Sequence, residues 1–172
     1  GYYHGVLLME LVVDDAGFSA PRLGEVELSA EQARWFHAEL MADVVRMLCC
    51  GLIHGDLSEY NVLVTGQGPV IIDFPQVVSA AGNNAARTML LRDVHNIRDS
   101  LARFAPELKS THFGEEMWAL YEKGALQADS KLTGEFVFDE HSADLDAVMM
   151  SIEDARQEAI IRQQGREAAE QD

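Results

Sequence analysis

The stretch HGDLSEYN at residues 54–61, followed by IIDF at residues 71–74, decides how this chain is interpreted. Two short runs at 61–65 and 70–73 are rich in β-branched residues and flank a Gly-Gln-Gly-Pro turn, which predicts a β-hairpin. The Gly-x-Gly of this turn lies between two strands and lacks a third glycine, so it is not a strand-to-helix phosphate loop. The predicted hairpin carries Asn61 and Asp73 at its open ends.

Apolar residues recur at helical spacing on both sides of this hairpin. Ser29 and Gln32 form a capping box that predicts an amphipathic helix ending at Gly51. An apolar run at 6–13 predicts a strand that leads into a loop at 16–25. Further helices are predicted at 90–104, at 111–124 with Thr111 as its cap, and from Ser142 through Ile152. These elements together indicate an α+β fold that is mainly helical.

Length and composition limit the class of protein. The 172 residues suit one packed domain, and 48% apolar with 24% charged residues excludes a disordered chain. No apolar run approaches the roughly 20 residues that cross a bilayer. The net charge of −16 would repel phosphate backbones and anionic lipid, so direct nucleic-acid binding is not expected. Cys49 and Cys50 are predicted to be buried reduced thiols, which fits a cytoplasmic location.

The spacing within residues 54–74 is that of a phosphoryl-transfer centre. It matches the kinase pattern H-R-D-L-x-x-x-N followed by D-F-G, apart from the Arg and the last Gly. Asp56 would orient the attacking hydroxyl and accept its proton, while Asn61 and Asp73 supply oxygen ligands for Mg²⁺. His54 is predicted to support the loop rather than to move protons. Pro75 in place of the last glycine predicts a metal loop that does not flip.

Several strings resemble the RIO family of atypical serine/threonine kinases and ATPases, in particular its bacterial and archaeal members. HGDLSEYN and IIDFPQ resemble the catalytic and metal-binding loops, and MELVVDDAGFSAPRL resembles the hinge and the loop after it. LLRDVHNI resembles the helix that follows the metal loop, and LTGEF with DLDAVMMSIEDAR resembles the end of the domain. The absence of a usual activation segment also resembles this family, since the triplet Ala105-Pro106-Glu107 reads as a helix stop.

The resemblance implies ATP as co-substrate, Mg²⁺ or Mn²⁺ as the metal, and a role for each matching residue. Asp56 resembles the catalytic base, and Asp73 resembles both a metal ligand and the carboxylate proposed to accept phosphate during ATP turnover. Asn61 resembles the second metal ligand. The nucleotide-binding positions implied are Met9 as gatekeeper, the hinge residues Glu10 and Val12, Ser58, and the adenine floor Leu63 and Ile72.

A complete kinase carries a Gly-rich loop and a strand lysine ahead of the hinge, yet the first lysine here is Lys109. The resemblance therefore implies that 1–13 is a hinge strand left from a missing N-terminal lobe, and that 14–156 is a kinase-like C-terminal lobe. Residues 157–172 are predicted to form a frayed acidic tail. Such a fragment is expected to be inactive by itself, and its exposed lobe face could mediate a dimer.

Two other functions stay open on the sequence. A small-molecule phosphotransferase of the aminoglycoside or choline kinase type would also carry HGD, Asn and IDF, although Ser58-Glu59-Tyr60 fits the RIO pattern better. A non-catalytic module could instead use its acidic surface to dock a basic partner. The main hypothesis is a serine/threonine kinase or ATPase that uses ATP, acts on an unknown protein substrate and does not bind membranes.

Overall fold

The computed structural model describes residues 2–138, apart from residues 5, 8, 9 and 75; residue 1 and residues 139–172 lie outside the described part. Within it, three α-helices and several two-stranded antiparallel sheets form an α+β fold, as predicted. In chain order the strands and helices are β1 Tyr2–Tyr3, β2 Val6–Leu7, α1 Ala30–Cys49, β3 Leu52–Ile53, β4 Val62–Thr65, β5 Gly68–Ile71, β6 Val78–Ser79, α2 Ala86–Leu101 and α3 Phe113–Glu122.

Helix α1 begins where the capping box predicts. The Ser29 hydroxyl accepts the Gln32 backbone N–H at 3.1 Å, and the Gln32 side chain accepts the Ser29 N–H at 2.9 Å. These reciprocal bonds satisfy backbone donors that an open helix end leaves unpaired. One face of the helix is buried, with Phe36, Leu40 and Leu48 each at most 3% exposed. The helix ends at Cys49, two residues before the predicted Gly51, whose φ of +74° suits glycine just beyond the cap.

The predicted hairpin is confirmed, but its turn is two residues shorter than predicted, because Gly68 and Pro69 pair within β5, and the second strand ends at Ile71 rather than at Asp73. Strands β4 and β5 pair antiparallel from Val62 opposite Ile71 to Thr65 opposite Gly68, so the turn has two residues, 66 and 67. The Thr65 hydroxyl donates to the Gly68 carbonyl at 2.9 Å and closes this turn. Asn61 extends the ladder by one pair, because its carbonyl accepts the Ile72 N–H at 2.9 Å. The short sheet therefore reaches the residues that carry the predicted chemistry.

Among the described residues, one apolar core joins α1, α2, α3 and the strands β3 to β6. Leu57 in the loop after β3, Ile97 on α2 and Met117 on α3 are all fully buried. Gly114 allows α3 to approach α2, since a Cβ at this position would lie 2.9 Å from Leu91 Cδ2. The core thus fixes α2 directly beneath the loop that follows β3.

The amino-terminal region differs from the prediction. Among the described residues of the run 6–13, only Val6–Leu7 forms a strand, which pairs with Tyr2–Tyr3. Val13 makes an isolated bridge to Ser19, and the Val12 carbonyl accepts the Ala20 N–H at 3.0 Å. Because this segment bonds to its own returning loop, the longer strand predicted from its apolar character is wrong within the described residues.

Three smaller predictions also require correction. The hydroxyl of Thr111 donates to the Leu108 carbonyl at 2.7 Å and does not cap α3, whose first flanking residue is His112. Helix α2 ends at Leu101, three residues before the predicted end. Cys49 and Cys50 are exposed rather than buried, because they lie at the solvent-facing end of α1. The fourth helix, the tail at 157–172 and the effect of Pro75 lie outside the described residues.

None of the helices in the described part of the chain has both the length and the apolar character needed to span a membrane. Large apolar side chains are nevertheless exposed near the amino terminus, including Leu11 at 67% and Phe18 at 73%. The predicted dimer would form through this surface, and the dimer stays a prediction.

Candidate active site

The loop at 54–61 is anchored to α2 through one buried carboxylate. Asp93, 2% exposed, accepts the backbone N–H of Gly55 at 2.8 Å and that of Leu57 at 2.9 Å. Asp56 lies between these two anchored residues, and its side chain is half-buried. The backbone on both sides of the predicted catalytic base is therefore held by a single side chain from the core.

Two further side chains of α2 hold the same loop through its carbonyl groups. A guanidinium N–H of Arg92 donates to the Gly55 carbonyl, and the Asn96 amide donates to the Leu57 carbonyl at 3.1 Å. Residues 55 and 57 are thus bonded to α2 through both their N–H and C=O groups. These hydrogen bonds to α2 fix the backbone geometry of the loop, which makes few hydrogen bonds within itself.

Burial raises the pKa of Asp93, although hydrogen bonds from Gly55 and Leu57 and the positive charge of Arg92 oppose this effect. The carboxyl is costly to ionise there because it lies almost entirely out of water. Each of its two oxygens accepts one backbone N–H, so the buried carboxylate is not left without hydrogen-bond partners. Asp93 is thus a structural anchor of the loop.

Glycine is required at position 55. Its φ is +84°, and a Cβ there would lie 2.9 Å from both the Gln76 carbonyl oxygen and Met89 Cε. Side chains are disfavoured in this backbone region, and the neighbouring carbonyl leaves no room for one. This close approach brings the catalytic loop against the segment that follows Asp73.

His54 links the catalytic loop to the end of the hairpin. It is 2% exposed, and its Nε2 lies 3.0 Å from the Ile72 carbonyl oxygen. Since a carbonyl only accepts, Nε2 must carry the proton. The ring also lies 5.3 Å from that of Phe74, centroid to centroid. These contacts agree with the supporting role predicted for this histidine.

Asn61 connects the hairpin to Asp56. Its side-chain amide nitrogen donates to the Asp56 carbonyl at 2.8 Å, while its own N–H donates to the Ser58 carbonyl at 3.0 Å. Because the nitrogen of the amide is held by a carbonyl, Oδ1 is the atom that can face a cation. The orientation of Asn61 is therefore compatible with the predicted role as a metal ligand.

Asp73 departs from strand geometry immediately after the hairpin. It is exposed and has a φ of +67°, one of two non-glycine residues with positive φ in the described part of the chain. In a regular strand, Asp73 and its neighbour Ile72, which pairs with Asn61, would point to opposite faces. The left-handed backbone at Asp73 interrupts this alternation, so the Asp73 side chain is not forced onto the face opposite Asn61. The two residues can share a site only if the alternation is interrupted in this way. Strain of this kind concentrates at functional sites.

The donor groups of Asn61 and Asp73, an amide oxygen and a carboxylate, are compatible with the predicted Mg²⁺ site. No group of three or more His, Cys, Asp and Glu side chains that could hold a metal occurs among the described residues. Zinc sites take three or four such ligands, whereas Mg²⁺ binds through one or two carboxylates together with substrate phosphates and water. The pair Asn61 and Asp73 fits the second requirement.

The predicted nucleotide-binding residues do not all line one cleft. Glu10 and Val12 line a cleft together with the hairpin turn at 65–67. Leu63 on β4 and Ile72 are half-buried and are not among the described residues that line this cleft. Ser58 is half-buried in the catalytic loop. Met9 lies outside the described residues.

Sequence reasoning missed the three α2 residues that anchor the loop. A signal for one of them was present, because Asp93 lies three residues after Leu90 and one before Val94, within the apolar stripe. A carboxylate at such a position is buried and must find donors. Arg92 and Asn96 lie beside the stripe and carried no comparable signal.

Comparison with known proteins gives a family match. The family model described as "RIO domain" matches residues 1–113. Serine/threonine-protein kinase RIO1 of Chaetomium thermophilum is 34% identical over 109 residues, which cover 58% of this chain and 21% of that protein. RIO-type serine/threonine-protein kinase Rio1 of Haloferax volcanii is 40% identical over 101 residues, covering 57% and 32%. That of Methanocaldococcus jannaschii is 52% identical over 46 residues, covering 27% and 16%. The matches thus span a third or less of these relatives.

Proposed function

The chain belongs to the RIO family, and from this premise we propose that its hairpin site serves Mg²⁺-dependent phosphoryl transfer from ATP to a serine or threonine hydroxyl. One observation carries the proposal: Asn61 joins the catalytic loop to the metal segment. Its side chain bonds the Asp56 carbonyl, and its main chain pairs with Ile72, the residue before Asp73. Asp56 and Asn61 are therefore hydrogen-bonded to each other, and Asp73 directly follows the residue that pairs with Asn61.

Each residue has a distinct task in this proposal. Asp56 orients the attacking hydroxyl and accepts its proton, and its anchored backbone keeps that carboxylate in place. Asn61 and Asp73 would hold Mg²⁺, which when bound neutralises charge on the triphosphate. Ser58, at the position where other kinases carry a lysine, adds no positive charge. More of the charge neutralisation therefore depends on Asn61 and Asp73.

We propose that the adenine of ATP lies against the hinge residues. Glu10 and Val12 line a cleft beside the hairpin turn. Leu63 and Ile72, which do not line this cleft, keep their predicted role as the apolar floor beneath the base. The Val12 carbonyl already accepts a bond from Ala20 at 3.0 Å, so only its N–H is offered to the nucleotide. Met9 keeps its predicted role as gatekeeper.

Residues that clamp the phosphates of ATP are not among these 172, since no lysine precedes Lys109. We therefore propose that 1–13 serves as the hinge, 14–156 as the C-terminal lobe and 157–172 as an acidic tail of a kinase that acts in the cytoplasm. By itself the chain would bind nucleotide weakly and not turn it over. The charge of −16 argues against direct nucleic-acid binding.

The test is calorimetric titration of ATP with and without Mg²⁺, on this chain and on its parent protein. We expect Mg²⁺-dependent binding by the parent, weakened roughly tenfold or more by Asp73→Asn or Asn61→Ala. Asp129→Asn, which changes an exposed carboxylate elsewhere, is the matched control. Unchanged binding in both site variants would contradict the assignment of the metal ligands.

Turnover then separates the candidate activities. We expect the parent to phosphorylate protein serine or threonine residues and to lose this activity on Asp56→Ala, with ATP binding retained. Phosphate transfer to an aminoglycoside or choline would instead support the small-molecule phosphotransferase. Binding of ATP by neither protein would favour the acidic binding module.

A further inference from the structure

A groove of about 530 Å³ lies between the loop at 14–28, the first turns of α1 and the turn of the hairpin. Part of its lining is apolar and aromatic, with Trp35 and Phe36 from α1 and Val64 from β4. The Trp35 and Phe36 rings lie 5.1 Å apart, centroid to centroid, and Trp35 is 43% exposed. The groove therefore presents a large aromatic ring at the protein surface.

Carboxylates also line this groove. Asp14, Asp15 and Glu27 contribute to it, and no Lys, Arg or His is among its described lining residues. Asp15 and Glu27 are exposed, and neither forms a hydrogen bond or an ion pair with another residue in the described part of the chain. We call this site the acidic groove. Its two exposed carboxylates are available to pair with cations of a partner.

The position of the Asp15 carboxylate is defined by its loop and by the hairpin turn. Asp14 Oδ1 accepts the backbone N–H groups of Ala16 and Phe18, each at 2.9 Å, which fixes the backbone around residue 15. A Cβ at Gly66 would lie 1.7 Å from Asp15 Oδ1, so the carboxylate lies directly over this glycine. A charge that is placed before a partner arrives lowers the cost of ordering on binding.

Charge selects the occupant of the acidic groove. Residues 10–31 carry six carboxylates and one basic residue, Arg22, within a chain of net charge −16. A second copy of the chain, a nucleic acid or an anionic membrane would be repelled by this surface. A small cation without apolar groups would leave the Trp35 ring uncovered. A polypeptide segment that carries both basic and apolar side chains complements the carboxylates and the apolar part together.

The acidic groove is separate from the residues of phosphoryl transfer. Residues 14–15 and 65–66 line both this groove and the hinge cleft, so the two adjoin. The groove lies at the closed end of the hairpin, whereas Asn61 and Asp73 lie at its open end. From Thr65 to Asn61 the strand covers about 13 Å at 3.3 Å per residue. A segment bound in the groove therefore does not occupy the metal site.

We propose that the acidic groove docks a polypeptide segment in which arginine or lysine alternates with large apolar residues, and that this segment belongs to the protein substrate. The identity of the partner as a substrate rests on the proposed function. The basic side chains pair with Asp15 and Glu27, and the apolar side chains pack on Trp35 and Val64. The groove thus recognises a part of the substrate other than the hydroxyl that Asp56 activates.

The test is calorimetric titration of the 172-residue chain with the synthetic peptide Arg-Arg-Leu-Arg-Leu, blocked at both ends. We expect saturable binding at one site that weakens as salt is added. Replacement of every arginine by glutamate should abolish binding, and replacement of both leucines by serine should weaken it roughly tenfold. Spermine is the probe for a small cation. Equal affinity for spermine and the peptide, or no saturable peptide binding, would overturn the proposal.

Charge-matched variants locate the site. Asp15→Asn combined with Glu27→Gln should weaken peptide binding roughly tenfold, because the two local ion pairs are lost. Glu39→Gln combined with Glu122→Gln removes two exposed carboxylates elsewhere and should leave the affinity unchanged. If both pairs of substitutions weakened binding equally, the peptide would respond only to net charge, and the docking surface would be refuted.

Tryptophan fluorescence gives a second readout. Trp35 is 43% exposed, whereas Trp118 is 9% exposed, so a bound peptide should change the emission of Trp35 alone. We expect a shift to shorter wavelength as the Trp35 ring leaves water. Trp35→Phe keeps an aromatic ring in the groove and should remove this shift while calorimetric binding is retained. A shift that persists in Trp35→Phe would place the peptide elsewhere and overturn the proposal.

None of these peptide titrations involves ATP, so they separate this proposal from the proposed function. Peptide binding by the chain without phosphoryl transfer by the parent protein would contradict the proposed function and leave the docking surface in place. Phosphoryl transfer by the parent without peptide binding by the chain would contradict the docking surface alone.

Discussion

Two buried carboxylates at the ends of the helical core are held in opposite ways. Asp93 on α2 is 2% exposed and accepts two backbone N–H groups of the catalytic loop. Glu115 on α3 is 6% exposed and faces two imidazoles, with His95 Nε2 at 3.2 Å and His112 Nδ1 at 3.9 Å. The first carboxylate is satisfied by fixed dipoles, and the second depends on groups that can gain or lose a proton.

This difference reverses the effect of pH. Burial raises the pKa of Asp93, so ionising it in the folded state costs stability as the pH rises. Burial also acts to raise the pKa of Glu115, but the hydrogen bond from His95 and the charges of His95 and His112 lower it overall. Its contribution to stability is therefore present above the unfolded pKa and lost as the pH falls through the lowered folded value. Asp93 therefore fixes the geometry of the loop at 54–61, whereas Glu115 stabilises the fold by pairing with the charges of His95 and His112.

The largest expected effect is that of Asp93→Ala. This change leaves the Gly55 and Leu57 N–H groups buried without an acceptor, so the free energy of unfolding should fall by about 3 to 4 kcal/mol. Urea unfolding followed by circular dichroism measures the change. Asp99→Ala removes a carboxylate that is 56% exposed on the same helix and should cost less than about 0.5 kcal/mol. Equal losses in the two variants would show that Asp93 is not an anchor.

Gly55→Ala tests the geometry of the same loop. A Cβ at this position would lie 2.9 Å from the Gln76 carbonyl oxygen, in addition to the strained φ of +84°. We expect a loss of about 2 to 3 kcal/mol in unfolding free energy. Gly51→Ala introduces the same backbone strain, at φ +74°, with no atom within 4 Å, and should cost about 1 kcal/mol. A Gly51 variant as unstable as the Gly55 variant would remove the case for close packing at residue 55.

Glu115→Gln addresses the second carboxylate through its pH dependence. At about pH 6 the substitution should lower the unfolding free energy by about 1 kcal/mol, because the ion pairs with the histidines are lost. The difference should shrink as the pH falls below the ordinary glutamate pKa of 4.5, because the unfolded state then takes up a proton, and it should approach zero below the lowered pKa of folded Glu115. Glu122→Gln, at the exposed end of α3, is the control. A difference that does not change between about pH 6 and pH 3 would argue against the pairing.

The smallest expected effect is that of Asn96→Ala. It removes one neutral hydrogen bond of 3.1 Å to the Leu57 carbonyl and leaves both Asp93 bonds in place. We expect a loss of about 0.5 kcal/mol in unfolding free energy, measured as above. A loss as large as that from Asp93→Ala would mean that the loop depends on the carbonyl bonds as much as on the carboxylate.

Local signals in the sequence were sufficient for the elements near the site. The Ser29 and Gln32 capping box begins α1, and the two-residue turn after Thr65 makes the hairpin. Such features succeed because their hydrogen bonds join residues a few positions apart. The predicted strand over 6–13 failed because apolar character alone does not specify a pairing partner, and Val12 and Val13 bond to residues 20 and 19 instead.

The sequence by itself determined which family pattern the chain carries and predicted the residues of the candidate site, because Asp56, Asn61 and Asp73 lie within one short stretch of chain. Only the tertiary structure decided how those residues are held. The Asp93 bonds to Gly55 and Leu57 span 38 and 36 residues, and the close approach of Gln76 to Gly55 depends on the packing of several elements. Contacts of this kind arise when the core brings α2 beneath the loop, and no local pattern encodes them.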